Sequence, residues 1–71
     1  MSEKEADISN LEIKLEILNL NYWEHYKFAQ DLVRALGPKH PRYQKAQNSV
    51  NEVLNEINAT RKEIEKIKTP S

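Results

Sequence analysis

The sequence predicts an all-α fold, an antiparallel two-helix coiled-coil hairpin that stands alone, adds a short N-terminal helical segment or assembles into a helical bundle. Three observations lead to this prediction. A single strong break at residues 37–41 divides the chain into two arms. Both arms carry apolar residues at heptad spacing, as coiled coils do. The β-branched residues nowhere sustain the alternation that a strand requires.

The helical hairpin is predicted over residues 8–68 and its first helix over residues 9–36, after a flexible N-terminus at residues 1–7. Ser9 suits an N-cap, and Glu12 stands three residues later, which is the spacing of a capping box. From there the arm runs without glycine or proline to the break. We therefore expect one uninterrupted helix.

The turn is predicted at residues 37–41, and the second helix over residues 41–68. Gly37 is placed to end the first helix in the left-handed conformation. Pro41 suits the first turn of the next helix, where its missing N–H costs nothing. Because the break is short, the two helices should be antiparallel. Residues 69–71 are predicted to form a tail.

The heptad positions define the face that each helix should bury, called the seam below. In the first helix the seam consists of Ile8, Leu11, Leu15, Leu18, Tyr22, His25, Ala29, Leu32 and Leu36. In the second helix it consists of Tyr43, Ala46, Val50, Val53, Ile57, Thr60, Ile64 and Ile67. Folding the chain about residue 41 places Ala29 opposite Val53 and Leu18 opposite Ile64. The same pattern predicts His25 to be a core residue.

The composition limits the function classes. Acidic and basic residues balance at 11 each, whereas proteins that bind nucleic acids normally carry a basic excess or a basic stripe. The chain has no cysteine and only two histidines, with no cluster at metal-ligand spacing. Its apolar runs are far shorter than the roughly 20 residues of a membrane span. The polar, acidic start of the chain is unlike a secretory signal. We expect an intracellular, cytoplasmic protein, with the nucleus left open, and neither metal, cofactor nor nucleic acid.

No residue pattern indicates catalysis. Paired carboxylates occur at Glu12 with Glu16 and at Glu52 with Glu56, but general acid–base chemistry needs a pocket around them. A two-helix hairpin is expected to offer no concave site of useful volume. A nucleophile beside a base and a phosphate-binding glycine loop are both missing from the sequence. The chain is therefore predicted not to be an enzyme.

A second apolar surface remains that the seam does not use, called the outer patch below. It comprises Ile13, Ile17, Leu20, Trp23, Tyr26 and, on the second helix beside Tyr26, Leu54. One helix cannot cover both faces of the first helix, and large exposed apolar patches usually mark interfaces. The outer patch is therefore predicted to bind a protein partner. The alternative is that these residues widen the core or stand singly exposed, which is ordinary.

Part of the first helix resembles a known family. The sequence Lys27-Phe28-Ala29-Gln30-Asp31-Leu32-Val33-Arg34-Ala35-Leu36 is similar to a motif E-G-A-E-N-L-x-R-A-L. That motif occurs in homology-region-1 domains of Rho effectors, which are antiparallel coiled-coil fingers. The segment Ala46-Gln47-Asn48-Ser49-Val50-Asn51-Glu52 resembles the family's second helix. Phe28 departs from the family, which has glycine where a short N-terminal segment packs closely. The resemblance implies a module that binds the GTP form of a Rho-family GTPase.

Three functions follow as hypotheses. The first is a non-catalytic protein–protein interaction module that binds a protein partner, a small GTPase or a subunit of a helical complex, through the outer patch. The second is a self-assembling structural subunit, a homo-oligomer in which two hairpins pair through the outer patch into a four-helix bundle. The third is an RNA-binding hairpin dimer, which the interspersed charges disfavour.

Overall fold

The computed structural model describes residues 3–68 and confirms the predicted hairpin. Helix α1 spans Glu3–Leu36 and helix α2 spans Pro41–Lys68. The two helices pack against each other in an elongated body of 50 × 20 × 11 Å. Across residues 3–68 the structure contains no strand. Within the same range, neither helix has the length of apolar sequence that a bilayer crossing needs.

Helix α1 begins six residues earlier than the sequence predicts, at Glu3. The predicted N-cap at Ser9 is wrong, and residues 3–7, predicted to be flexible, are helical. Good helix formers occupy this first stretch, and the acidic Glu3 and Glu5 in the first turn interact favourably with the helix dipole. No separate N-terminal helical segment occurs in the described residues. Residues 1–2 and the predicted tail at 69–71 lie outside them.

The turn between the helices is built as predicted. Gly37 has a φ of 90°, and its N–H donates to the carbonyl of Val33 at 3.0 Å. This left-handed residue closes α1. His40 precedes Pro41 and acts as the N-cap of α2, because its carbonyl accepts from the N–H of Gln44 at 3.1 Å. The His40 ring also caps α2, with Nδ1 accepting from the N–H of Arg42 at 3.1 Å.

The core lies along the seam. Every residue that is buried within the range 3–68 occupies a predicted seam position, and these residues are Leu18, Ala29, Ala46, Val50, Ile57, Thr60 and Ile64. Thr60 is the polar member of this set, and its hydroxyl donates to the carbonyl of Glu56 at 2.8 Å. This hydrogen bond satisfies the donor that burial removes from water. The heptad pattern therefore identifies which face of each helix is buried.

The register along the seam differs from the prediction. Because α1 ends at Leu36 and α2 begins at Pro41, the chain folds about the loop between them and not about residue 41. The α2 residue that lies opposite a given α1 residue is consequently nearer to the turn than the sequence predicts. Ala29 belongs to one buried cluster with Ala46 and Val50, where the sequence predicts Val53 as its counterpart. The predicted pairing of Ala29 with Val53 is therefore wrong, by about one helical turn.

His25 is exposed, so its prediction as a core residue is wrong. A strict heptad repeat advances 3.5 residues per turn, whereas a straight helix has about 3.6. The buried face of α1 therefore drifts along the helix, and Val33 becomes partly buried beside Leu32. This drift leaves His25 at the edge of the interface. Leu36, at the end of α1, is also 40% exposed.

Candidate protein-binding surface

All six residues of the outer patch lie at the surface. The exposed fractions are 54% for Ile13, 54% for Ile17, 64% for Leu20, 62% for Trp23, 39% for Tyr26 and 40% for Leu54. Their exposure follows from the architecture, because α2 packs against one side of α1 only. Leu18 and Ala29 are the buried residues of α1. The opposite side of α1 consequently presents large apolar side chains to water.

Three members of the patch form a row that faces away from α2. Ile13, Ile17 and Leu20 recur at i, i+4 and i+7, which places them along one line of the helix. Leu20 follows the buried Leu18 by two residues, a rotation of about 200° around the helix axis. The row therefore points directly into solvent.

The other end of the patch is aromatic and curves round towards one edge of the hairpin. The ring centroids of Trp23 and Tyr26 lie 5.8 Å apart, with the planes at 83°. Tyr22 lies 5.4 Å from Trp23, again edge to face, and stacks on Tyr26 at 6.1 Å. These arrangements are favourable for aromatic pairs. Trp23 is therefore held by two neighbouring rings although most of it is exposed.

Tyr22 is a functional candidate that sequence analysis missed. It is predicted only as a seam residue, and the structure does pack it, half-buried, against the cluster of Ala29, Ala46 and Val50. Its ring contacts also make it the link between that core and Trp23. The signal in the sequence is that Tyr26 follows Trp23 by three residues and Tyr22 by four, the two spacings at which side chains meet on a helix.

Leu54 lies on the same edge of the hairpin as Tyr26. Glu12 of α1 and Arg61 of α2 line one groove, which shows which edges of the two helices meet. Tyr26 follows Glu12 by two heptads, and Leu54 precedes Arg61 by one. Heptad-equivalent positions share an edge. By this equivalence Leu54 shares the edge of Tyr26, which Trp23 contacts, while the row from Ile13 to Leu20 occupies the outer face.

A second surface, on the opposite edge, was not predicted. An open groove of about 690 Å³ runs between the helices near the turn, called the Phe28 groove below. Its α1 wall consists of Glu24, His25, Phe28 and Leu32, and its α2 wall of Arg42, Lys45, Ala46 and Ser49. The groove is open to solvent and is not an enclosed cavity. The small side chains of Ala46 and Ser49 leave this space beside Phe28.

The Phe28 groove combines an apolar floor with a charged rim. Leu32 and Ala46 supply apolar floor, and Phe28 stands at the side with 58% of its surface exposed. Arg42 and Lys45 place two cations on the rim, and Glu24 places one carboxylate. This combination suits a protein surface with an apolar anchor and nearby acidic groups.

In the part of the chain that the structure describes, no three His, Cys, Asp or Glu side chains gather as a metal ion would require. Comparison with protein-family models, with characterised proteins and with solved structures finds no match for this chain. The surfaces themselves therefore carry the functional argument.

Proposed function

We propose that this chain is a non-catalytic protein–protein interaction module whose outer patch binds a protein partner. The observation that carries the proposal is the exposure of Leu20 and Trp23, each more than 60% accessible, on a helix face that α2 does not reach. Contiguous apolar surface of this kind is uncommon on monomers without a binding role. Trp and Tyr are also the residues that most often anchor interfaces.

The shape of the outer patch favours a helical or grooved partner. From Ile13 to Trp23 the patch extends about 15 Å along α1, calculated from the helical rise per residue. Apolar residues at i, i+4 and i+7 are the pattern by which a helix docks into an apolar groove. Trp23 and Tyr26 close one end of the row with rings already in contact. Such a prearranged anchor reduces the entropy that binding costs.

A Rho-family GTPase is the specific partner that we propose on the basis of the sequence motif at residues 27–36. Ala29, Leu32 and Arg34 agree with the family motif, and an antiparallel hairpin is the family's fold. Calorimetric titration with a Rho-type GTPase should give binding to the form loaded with a GTP analogue and weak binding to the GDP form, as expected for a site that reads the nucleotide-ordered switch segments. Equal binding, or none to either form, would remove the GTPase and leave the interaction module.

The general proposal is tested by affinity capture with matched baits. Wild-type protein, Leu20→Lys in the outer patch and Lys62→Glu on the exposed side of α2 would be immobilised separately, and the proteins that they retain compared. At least one protein should be retained by wild type and Lys62→Glu and lost from Leu20→Lys. Identical retention by all three baits would contradict binding through the outer patch.

Self-assembly through the same patch is the second candidate, supported by the row Ile13, Ile17 and Leu20. In a four-helix bundle, such a row would pack against its symmetry mate. Sedimentation equilibrium separates the two functions. An oligomer that Leu20→Lys dissociates, with no protein lost from that bait in the capture experiment, would favour the structural subunit.

A further inference from the structure

Helix α2 carries a line of charges whose sign reverses at its centre. Arg42, Lys45, Ser49, Glu52 and Glu56 are spaced alternately by three and four residues, so they follow one stripe of the helix. The first three line the Phe28 groove, and the two glutamates continue the stripe away from the turn. Two cations therefore precede Ser49 and two carboxylates follow it.

This stripe is complementary to itself when it is reversed. Ser49 is seven residues from both Arg42 and Glu56, and it is four residues from Lys45 and three from Glu52. If a two-fold axis passes beside Ser49, Arg42 of each copy lies near Glu56 of the other. Lys45 likewise lies near Glu52 of the other copy. A two-fold interface requires this relationship, because the same patch must complement itself.

The apolar part of the groove lies at the same position along the hairpin. Phe28 and Ser49 line the groove together, so an axis beside Ser49 also passes close to Phe28. Phe28 is 58% exposed, and the open groove beside it, about 690 Å³ in all, includes the apolar side chains of Leu32 and Ala46. Each copy therefore has both an exposed aromatic ring and a space that could receive the ring of the other copy.

We propose that a second copy of this chain docks antiparallel on the Phe28 groove, with the two-fold axis beside Ser49. Burial of Phe28 drives the association, and the charge stripe fixes the antiparallel orientation, since complementary charges contribute more to specificity than to affinity. The inference goes beyond the proposed function, because it concerns a different surface. Phe28 directly precedes the seam residue Ala29, and Trp23 directly follows the seam residue Tyr22, so the two side chains lie on opposite sides of the seam. The Phe28 groove and the outer patch thus lie on different edges, and one protein can use both.

Charge reversal tests the pairing directly. Glu52→Lys with Glu56→Lys makes the stripe entirely basic, and Arg42→Glu with Lys45→Glu makes it entirely acidic. By sedimentation equilibrium over roughly a hundredfold range of concentration, wild type should be a dimer that dissociates on dilution, since dimerisation follows mass action. Each reversed protein should be at least roughly tenfold weaker as a dimer. An equimolar mixture of the two should form a heterodimer, because every pair is then attractive.

A control variant, a second test variant and a measurement of folding accompany the charge reversal. Glu12→Lys with Glu16→Lys changes the net charge by the same amount at the same spacing on α1, and should leave the dimer intact. Phe28→Ser, which alters no charge, should also weaken the dimer at least roughly tenfold. Circular dichroism should give the same helicity for all of these variants, because the substituted side chains are exposed.

Four results would overturn the proposal. The first is a wild-type protein that stays monomeric over the whole concentration range, and the second is a dimer that persists in both charge-reversed proteins. The third is an equimolar mixture of the two folded charge-reversed proteins that stays monomeric. The fourth is loss of the dimer in the control with Glu12→Lys and Glu16→Lys. A dimer that Leu20→Lys abolishes and both reversals leave intact would assign self-association to the outer patch. That outcome leaves the capture experiment as a separate test of the proposed function.

Discussion

The rings of Trp23 and Tyr26 meet edge to face, 5.8 Å apart, on the exposed surface of α1 at one edge of the hairpin. Tyr22 contacts both rings and packs on Ala29, Ala46 and Val50, so the exposed pair is connected to the interior through one side chain. Trp23 is consequently both largely exposed and restrained. This combination is what an interface anchor needs, because little rotamer entropy remains to be lost on binding.

The packing at Ala29 should be intolerant of added volume. Ala29 is 0% exposed within the cluster of Ala46 and Val50, so Ala29→Leu should destabilise the hairpin by about 1–3 kcal/mol. Adding Val50→Ala should cost less than the sum of the two single changes, because contacting residues couple. Chemical denaturation measures the cycle. The matched double variant with Val53→Ala should be additive, and coupling to Val53 alone would restore the register that the sequence predicts.

The cap at His40 should contribute measurably to stability. Nδ1 of His40 accepts from the N–H of Arg42, so His40→Ala should cost about 1 kcal/mol in urea denaturation, as loss of an N-cap does. His40→Asp should retain most of that stability, since aspartate is a preferred N-cap. His25→Ala, at the exposed edge of the seam, should stay within about 0.5 kcal/mol of wild type. Equal losses of stability in His40→Ala and His25→Ala would argue against a capping role for His40.

Gly37 should be required for its backbone conformation and not for space. Its φ is 90°, and a Cβ placed there would meet no atom within 4 Å. Gly37→Ala should therefore cost about 1–2 kcal/mol through the left-handed conformation alone. Gly37→Asn should cost less than alanine, because asparagine tolerates this region better. Thermal unfolding of both variants tests the point, and a larger loss for asparagine would indicate a steric cause.

Local sterics and hydrophobic periodicity made much of the fold predictable. Gly37 marks the turn because glycine readily takes the left-handed conformation that ends α1, and Pro41 marks it because proline is tolerated in the first turn of a helix and not in its interior. The heptad pattern placed the buried side chains on the correct face of both helices, including Thr60. The same reasoning identified Leu20 and Trp23 as surplus apolar residues, which are exposed.

The register and the Phe28 groove were not predicted because they depend on both helices together and not on one segment. A heptad repeat matches its partner equally well after a shift along the axis, so the loop decides the register, and Ala29 meets Val50. The early start of α1 at Glu3 overrides the weak capping preference of Ser9. The Phe28 groove exists because Ala46 and Ser49 are small where the two helices meet. Sequence periodicity contains no information about that space.

The most direct measurement is calorimetric titration of a protein captured by the wild-type bait against wild type and Trp23→Ala, alongside the melting temperature of each. Because Trp23 is 62% exposed and off the seam, its loss should reduce affinity by about 2 kcal/mol or more and leave the melting temperature almost unchanged. Leu18→Ala, at a site only 7% exposed, should instead lower stability by about 2–5 kcal/mol. Unchanged affinity in Trp23→Ala, or a melting temperature as low as that of Leu18→Ala, would contradict binding through the outer patch.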